Sequence, residues 1–453
     1  MQRQVGIHFY INIANYNSII LDEENRTGQV THAIHALDTF FSSVESFGKK
    51  YFKDSFVVEK ITGSRLHMYV IGDLQKAYEV VKTVSVYAYR LSKYLNNDIP
   101  KYKTLKDFFI QIGSAYGRFY EFEFSIGEEF SEMTTIGYAA NYAAKIQALT
   151  KYSKMSITEE MYDALSQDEK THYEKVSESS IKKYGHECFY TASLPFLSLS
   201  VPLDDDDIEA AKKYANSDNL SDIEFTGVRK PLNFRSLNRT QCKRIEGIPV
   251  YADVRGFTNQ FEDDDSNLEE MVEKTQTILE SMYMVSTQNG GIHVQFQGDR
   301  ELSLYHNIPG ETTQGYSRPE QRCYKQAVLA AMRMIDAVKP LKVHIGVGED
   351  FGTIFATKIG ARGEKDNILL GETVINADLM EDKKAGEDQV AITKAVYDGL
   401  KMEDSGFASY FKLVDEYYIA TIGYQQYIRD LSYTQLKSST TRNGYNGAWG
   451  DVL

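Results

Sequence analysis

The chain has 453 residues, 42% of them hydrophobic, enough for two or three packed domains. A net charge of −14 argues against nucleic-acid or anionic-membrane partners, yet allows a small anionic ligand where Lys, Arg or metal ions gather. Cys188, Cys242 and Cys323 share no CxxC spacing, which excludes a disulfide framework and disfavours zinc; with no long apolar run and no signal-peptide pattern at "MQRQVGIHFY", a cytoplasmic protein is expected.

In chain order, residues 5–13 alternate as a strand, and Ile34, Leu37, Phe41 and Val44 then recur at helical spacing. "FVVEKI" and "RLHMYV" flank a tight "TGS" turn and predict a hairpin. Residues 74–95 predict a second amphipathic helix, and "DFFIQIGSA" (107–115) a returning strand. Residues 196–247, with Asp, Asn and Ser clusters, are expected to be a linker. The acidic runs at 204–207 and 262–265 suggest calcium ligands or, preferably, solvated segments and helix starts. The second half repeats the order: a strand through "VYADVRGFT", a helix over 267–283, and a hairpin of "GIHVQFQ" and "ELSLYH" about "GD". Residues 431–453 predict a flexible tail.

Each half therefore reads β, α, β, β, α, β. The expected fold class is α+β, an α/β sandwich, with two ferredoxin-like domains at 1–195 and 248–430. Asn12 aligns with Asp253, Ser64 with Asp299, Gly113 with Gly346 and Gly137 with Gly371.

In this topology the end of the first strand and the hairpin turn meet at one sheet edge. Asp253 and Asp299 would converge there. Either Asp alone reads best as a turn former. Together, at matching positions of a duplicated unit, they favour Mg2+ or Mn2+, because facing carboxylates repel unless a cation lies between them. Gly256 would let backbone amides of "VRGFT" approach a polyphosphate.

"VYADVRGFT" and the "GD" at 298–299 resemble the class III nucleotide cyclases, whose hallmarks are Asp-Ile-x-Gly-Phe-Thr, Lys-x-x-Gly-Asp and a later Gly-x-x-Val-Asn-x-x-x-Arg. The resemblance spans both halves. It implies head-to-tail domains, two Mg2+ or Mn2+ ions per site and a nucleoside triphosphate substrate. On this likeness Asp253, Asp299 and the Val254 backbone would hold metal. Gly256, Phe257 and Thr258 would cradle phosphates. The first half would supply Asn141 and, where Arg is usual, Lys145 as catalytic groups. Lys60 and Thr134 would read the base, a pair that in the family usually implies ATP, and Lys182, Lys183 and Lys342 would hold phosphates. Lys60 also reads as an exposed strand lysine, the Lys182–Lys183 pair as solvated turn charges and Asn141 as a polar helix-face residue.

Arg65 and Arg300 follow the two hairpin turns, each suited to a pyrimidine carbonyl or to a local ion pair. As a whole the chain is similar to the tandem-domain cytidylate cyclases of the Pycsar anti-phage systems. That likeness implies CTP as substrate, cyclic CMP as product and a separate effector that senses it. An adenylyl cyclase and a catalytically inactive nucleotide-binding regulator remain as alternatives, the latter because Gln295 stands where the family has Lys. A homodimer would offer a second way to complete the site.

Overall fold

The computed structural model describes residues 2–126, 130–179, 181, 187–199, 205–217, 224–237, 241–257, 267–313, 316–360 and 366–432. In β1 (Gln2–Ile13) the alternation of strand side chains sends Ile7, Phe9, Ile11 and Ile13 into the core beneath the helices. His8, Tyr10 and Asn12 stand on the opposite face. Helices α1 (Tyr16–Thr27) and α2 (Thr31–Phe52) follow, and α2 buries the predicted stripe Ile34, Leu37, Phe41 and Val44. The hairpin is β2 (Phe56–Thr62) and β3 (Arg65–Ile71). Helix α3 (Leu74–Asp98) starts where the Asp73 carboxylate accepts the Lys76 amide N–H, capping a donor the helix leaves unpaired. The module continues through β4 (Ile110–Ile126), β5 (Phe130–Ile136), α4 (Tyr138–Leu149), β6 (Lys154–Ile157), β7 (Tyr173–Val176) and β8 (Phe189–Ser193). Its sheet runs β2-β3-β1-β4-β6-β8-β7, and the first four strands have the ferredoxin-like order.

The stretch expected as a linker holds α5 (Asp205–Ala215). Its Ala211 and Ala215 join the first module's core, while Asp207 pairs with Lys50 at 2.6 Å and Tyr214 donates to Asp38 at 2.9 Å. Asp205, Asp206 and Asp207 of the first acidic run thus start a helix; Asp204 and the second run lie outside the described residues. A short β9 (Glu224–Thr226) then runs parallel to β10 (Gln241–Val254), so the second module's central strand begins within the expected linker.

The second module repeats the plan. After β10 come α6 (Leu268–Gln288), β11 (Ile292–Phe296), β12 (Arg300–His306), α7 (Tyr324–Val338), β13 (Ile345–Glu349), β14 (Gly352–Ile359), β15 (Asp366–Leu370), α8 (Glu372–Leu379), β16 (Gln389–Thr393), β17 (Phe411–Val414) and β18 (Tyr417–Ala420). Its sheet order, β11-β12-β10-β13-β16-β18-β17, matches that of the first. All but the first two residues of the expected tail lie outside the described residues.

The modules exchange arms. Phe122, Phe124, Ile126 and Ile136 of β4 and β5 pack into the second module's core, where Phe124 meets Phe296 edge-on at 4.9 Å between ring centroids. Conversely Phe355, Ile359, Ile368 and Leu370 of β14 and β15 enter the first core. The Gly360 amide donates to Asp38 at 3.2 Å in the same contact.

Candidate active site

The site begins at the end of β10. Val250, Ala252 and Val254 face the core, which turns Asp253 to the other side. Asp253 pairs in register with Arg300 of β12 and with Gly346 of β13. The β11–β12 turn brings Asp299 to the same edge. Gly298 there takes a left-handed φ of +73°, which costs glycine no steric strain, and the Gln297 amide donates to the Arg300 carbonyl at 2.8 Å.

Both aspartates are half-buried. Burial raises the proton affinity of Asp253 against the opposing pull of Arg300, Arg255 and Lys145. Asp299 is raised well above the ordinary carboxyl range, first by burial and next by the charge of Asp253. Two half-buried carboxylates at one edge, the second raised by the charge of the first, form a hard oxygen donor set, and Mg2+ or Mn2+ fits it.

The neighbouring arginines are already tied. Arg255 pairs with Glu381 at 2.5 Å and donates to the carbonyls of Glu381 at 2.7 Å and Ala385 at 3.0 Å. Its guanidinium fills the space over Gly346, where a Cβ would sit 1.8 Å from Nη2. Arg300 pairs with Asp378 at 2.6 Å and Glu381 at 2.5 Å, and lies 4.1 Å above the Tyr251 ring. Of the two roles the sequence allows Arg300, it takes the local ion pair. Glu381, beneath both guanidiniums, is pushed up to about 7 by burial, which outweighs their pull.

The other wall comes from the first module. Asn141 and Lys145 sit one turn apart on α4, half-buried and exposed respectively. The Lys145 charge acts on Asp253, Asp299 and Asp382 of the second module. Lys60 is buried; its ammonium pairs with Glu132 and donates across the module boundary to the Phe296 carbonyl at 2.7 Å. This is not the exposed strand lysine that its sequence also allowed. Thr134 donates its hydroxyl to Glu59 at 3.2 Å.

The loop after Asp253 turns at Gly256, φ +67° with open space about its Cα, and is anchored by buried Phe257. Val254 buries its side chain, leaving only its backbone for a ligand. Lys342 is exposed at φ +56°. Two residues on, the His344 carbonyl accepts the Arg255 amide at 2.8 Å. Lys182, Lys183 and Thr258 lie outside the described residues.

Arg65 lines a cleft with Asn12, Ser64, Gln295 and Ile375 that reaches Gln297, Arg300 and Asp378 beside the Asp299 turn. Asn12 faces Arg65 in register, as Asp253 faces Arg300. There Ser64 donates to the Asn12 side-chain oxygen at 2.8 Å, so a neutral hydrogen-bonded pair stands where the other module has two carboxylates. Gln295 is buried and donates to the Asn367 carbonyl at 2.8 Å.

Glu59, Glu132 and Glu381 escaped the sequence reading. Glu59 and Glu132 stand beside residues it had selected. A β-bulge between Val58 and Lys60 breaks the alternation that would have sent Glu59 and Lys60 to opposite faces.

The duplicated sheets have the fold of the class III nucleotide cyclases, in tandem. Over nearly the whole chain the structure is similar to a class III adenylyl cyclase-like ATP-binding protein from Pseudomonas aeruginosa, with a TM-score of 0.70, 18% identity, and coverage of 95% of this chain and 90% of that one. In sequence the chain is 24% identical over 286 residues to a uridylate cyclase of Pseudomonas aeruginosa, covering 59% of this chain and 53% of that protein. The match thus spans about half the length of the curated relative. The guanylate cyclase domain of RhGC from Catenaria anguillulae matches 40% of this chain at 18% identity and a TM-score of 0.33. No family model matches the chain. Among the described residues no helix is long and apolar enough to cross a membrane.

Proposed function

We propose that the chain is a nucleotidyl cyclase that converts CTP to 3′,5′-cyclic CMP and pyrophosphate. Its place would be the cytoplasm, supplying a second messenger that a separate effector reads during anti-phage defence. The observation that carries the reading is the meeting of Asp253 and Asp299 with the charge of Lys145, each wall from a different module of one chain. The pyrimidine preference draws support from the relative named a uridylate cyclase.

In the reaction the 3′-hydroxyl attacks the α-phosphorus of the same nucleotide, a new O–P bond forms and the bond to pyrophosphate breaks. Divalent ions at Asp253 and Asp299, Mg2+ or Mn2+, would favour deprotonation of the hydroxyl and neutralise phosphate charge. Asn141 would orient the ribose, and Lys145 would offset charge developing on the α-phosphoryl group. The Gly256 and Phe257 amides would donate to phosphate oxygens, with Gly256 permitting the close approach, while the Arg255 amide is taken by the His344 carbonyl. Lys60 and Thr134 would meet the base.

The test is incubation of the protein with Mn2+ and each of ATP, GTP, CTP and UTP, products read by mass spectrometry, beside Asp253→Ala. Cyclic CMP that vanishes in the variant supports the proposal. Cyclic AMP instead would keep the chemistry and replace the substrate, a second reading favoured by the ATP-binding neighbour. No cyclic product from any of the four would leave a nucleotide-binding regulator.

A further inference from the structure

On the face of the first sheet turned away from α2 and α3, three side chains point at one another. His8 Nδ1 stands 3.0 Å from His67 Nε2, and His67 Nδ1 stands 3.2 Å from Glu59 Oε2. One ligand atom from each of the three lies within 4.8 Å of the others, a grouping of His, Cys, Asp or Glu found nowhere else among the described residues. Both histidines are buried, and burial pushes each imidazole down to about 3. Each is therefore neutral and keeps a lone pair on one nitrogen.

The surroundings hold these groups as a metal site holds its ligands. Glu59 Oε1 accepts the Thr134 hydroxyl and the Thr135 amide, and Oε2, the oxygen turned to His67, accepts the Thr135 hydroxyl at 2.6 Å. Tyr10 stacks on the His67 ring at 4.1 Å, and Phe119 meets the His8 ring edge-on at 4.4 Å. His8 Nε2 is buried with no hydrogen-bond partner among the described residues. The local charge suits a cation, because the Lys60 ammonium is already matched by Glu132 and Asp366 and leaves the charge of Glu59 over.

The second module serves as an internal control. The bulges of β2 and β11 align Glu59 with Val294, and strand register aligns His67 with Leu302 and His8 with Pro249. All three counterparts are apolar and buried. The fold is thus built at this place without a polar group, and a polar trio costs desolvation that an apolar one avoids.

We propose that His8, Glu59 and His67 form a second metal site, confined to the first module, for a borderline divalent transition ion such as Zn2+. Two imidazole nitrogens and one carboxylate oxygen suit an ion bound at about 2.0–2.2 Å, whereas Mg2+ takes oxygen ligands. Neither Asp253 nor Asp299 belongs to it.

The test uses the full chain carrying Asp253→Ala and Asp299→Asn, which takes the catalytic carboxylates out of competition. It is titrated with Zn2+ against a chromogenic chelator and with Co2+ by visible absorption. About one Zn2+ per chain should bind with submicromolar affinity, and Co2+ should give the bands of nitrogen ligation. Adding His67→Leu, which copies the second module, should weaken Zn2+ at least about 100-fold and remove the Co2+ bands. His8→Gln, which keeps a hydrogen-bonding side chain, should do the same and serves if the Leu variant fails to fold, as its metal-free thermal midpoint would report. No tight Zn2+ in the parent chain, or undiminished Zn2+ binding in both histidine variants, would overturn the inference. Binding is read without nucleotide, so failure of the cyclase proposal would leave this site standing.

Discussion

Asp253 and Asp299 repel where they stand, and the charge of Asp253 contributes to the raised proton affinity of Asp299. Removing one charge should relieve the fold while disabling the chemistry. In metal-free buffer Asp299→Asn should not lower the thermal midpoint and should raise it by a few degrees, about 1 kcal/mol. Added Mn2+ should stabilise the wild type and leave the variant nearly unmoved, as scanning fluorimetry with EDTA and Mn2+ arms would report. Cyclisation by the variant should fall at least about 1,000-fold if the carboxylates hold the metals. A lower midpoint without metal would mean that the local arginines, rather than mutual repulsion, dominate the balance. These two aspartates were legible in sequence because a strand end and a hairpin turn are local signals. Glu59 was not, since its reach to Thr134 depends on a bulge and on a strand more than seventy residues later.

At the scale of elements, two strands carry buried charge with different consequences. In β2, Lys60 joins the modules through Glu132 and the Phe296 carbonyl. Lys60→Met leaves a partly buried carboxylate and a carbonyl without their donor, so it should destabilise by about 3 kcal/mol in urea titrations. A base-reading lysine without structural duty would instead change nucleotide affinity at constant stability. In β13, Glu349 is fully buried, neither carboxylate oxygen has a hydrogen-bond partner among the described residues, and burial pushes it up to about 8 from an ordinary 4.5. Between those values the folded chain binds more protons than the unfolded one, so stability is greatest at low pH and falls as pH rises toward 8. Glu349→Gln should therefore match the wild type near pH 5 and exceed it above pH 8 by about 2–4 kcal/mol, measured as the pH dependence of the urea midpoint. Most strands and the long helices were readable because each carries a clear period, the bulged β2 and β11 excepted. Helices α1 and α5 were not: α1 has few apolar positions and α5 is charge-rich, and both are helical because they pack on the first core.

At the scale of the molecule, the duplicated modules are held together by exchanged arms. β4 and β5 complete the second core, while β14 and β15 complete the first. Sequence showed the repeat but not the exchange, because arm residues alternate like any strand and nothing local names the core they enter. The interlock decides whether the site is made within one chain or between two. The modules of a single chain already bring the Lys145 charge to Asp253 and Asp299. A second copy would have to displace buried Phe124, Phe355 and Ile359 to make the same approach. Activity per chain should therefore be independent of protein concentration across a dilution series, even if the protein dimerises through another face. Mixing Asp253→Ala with Asn141→Ala chains should recover no activity, because every intact half-site stays tied to a broken one. Recovery toward about a quarter of the wild-type rate, the statistical share for freely exchanging half-sites, would show that the arms open and the modules pair between chains. A hybrid chain carrying both substitutions, mixed with wild type, separates this from simple dilution: it should leave the wild-type rate untouched if the site is intramolecular and lower it if the half-sites exchange.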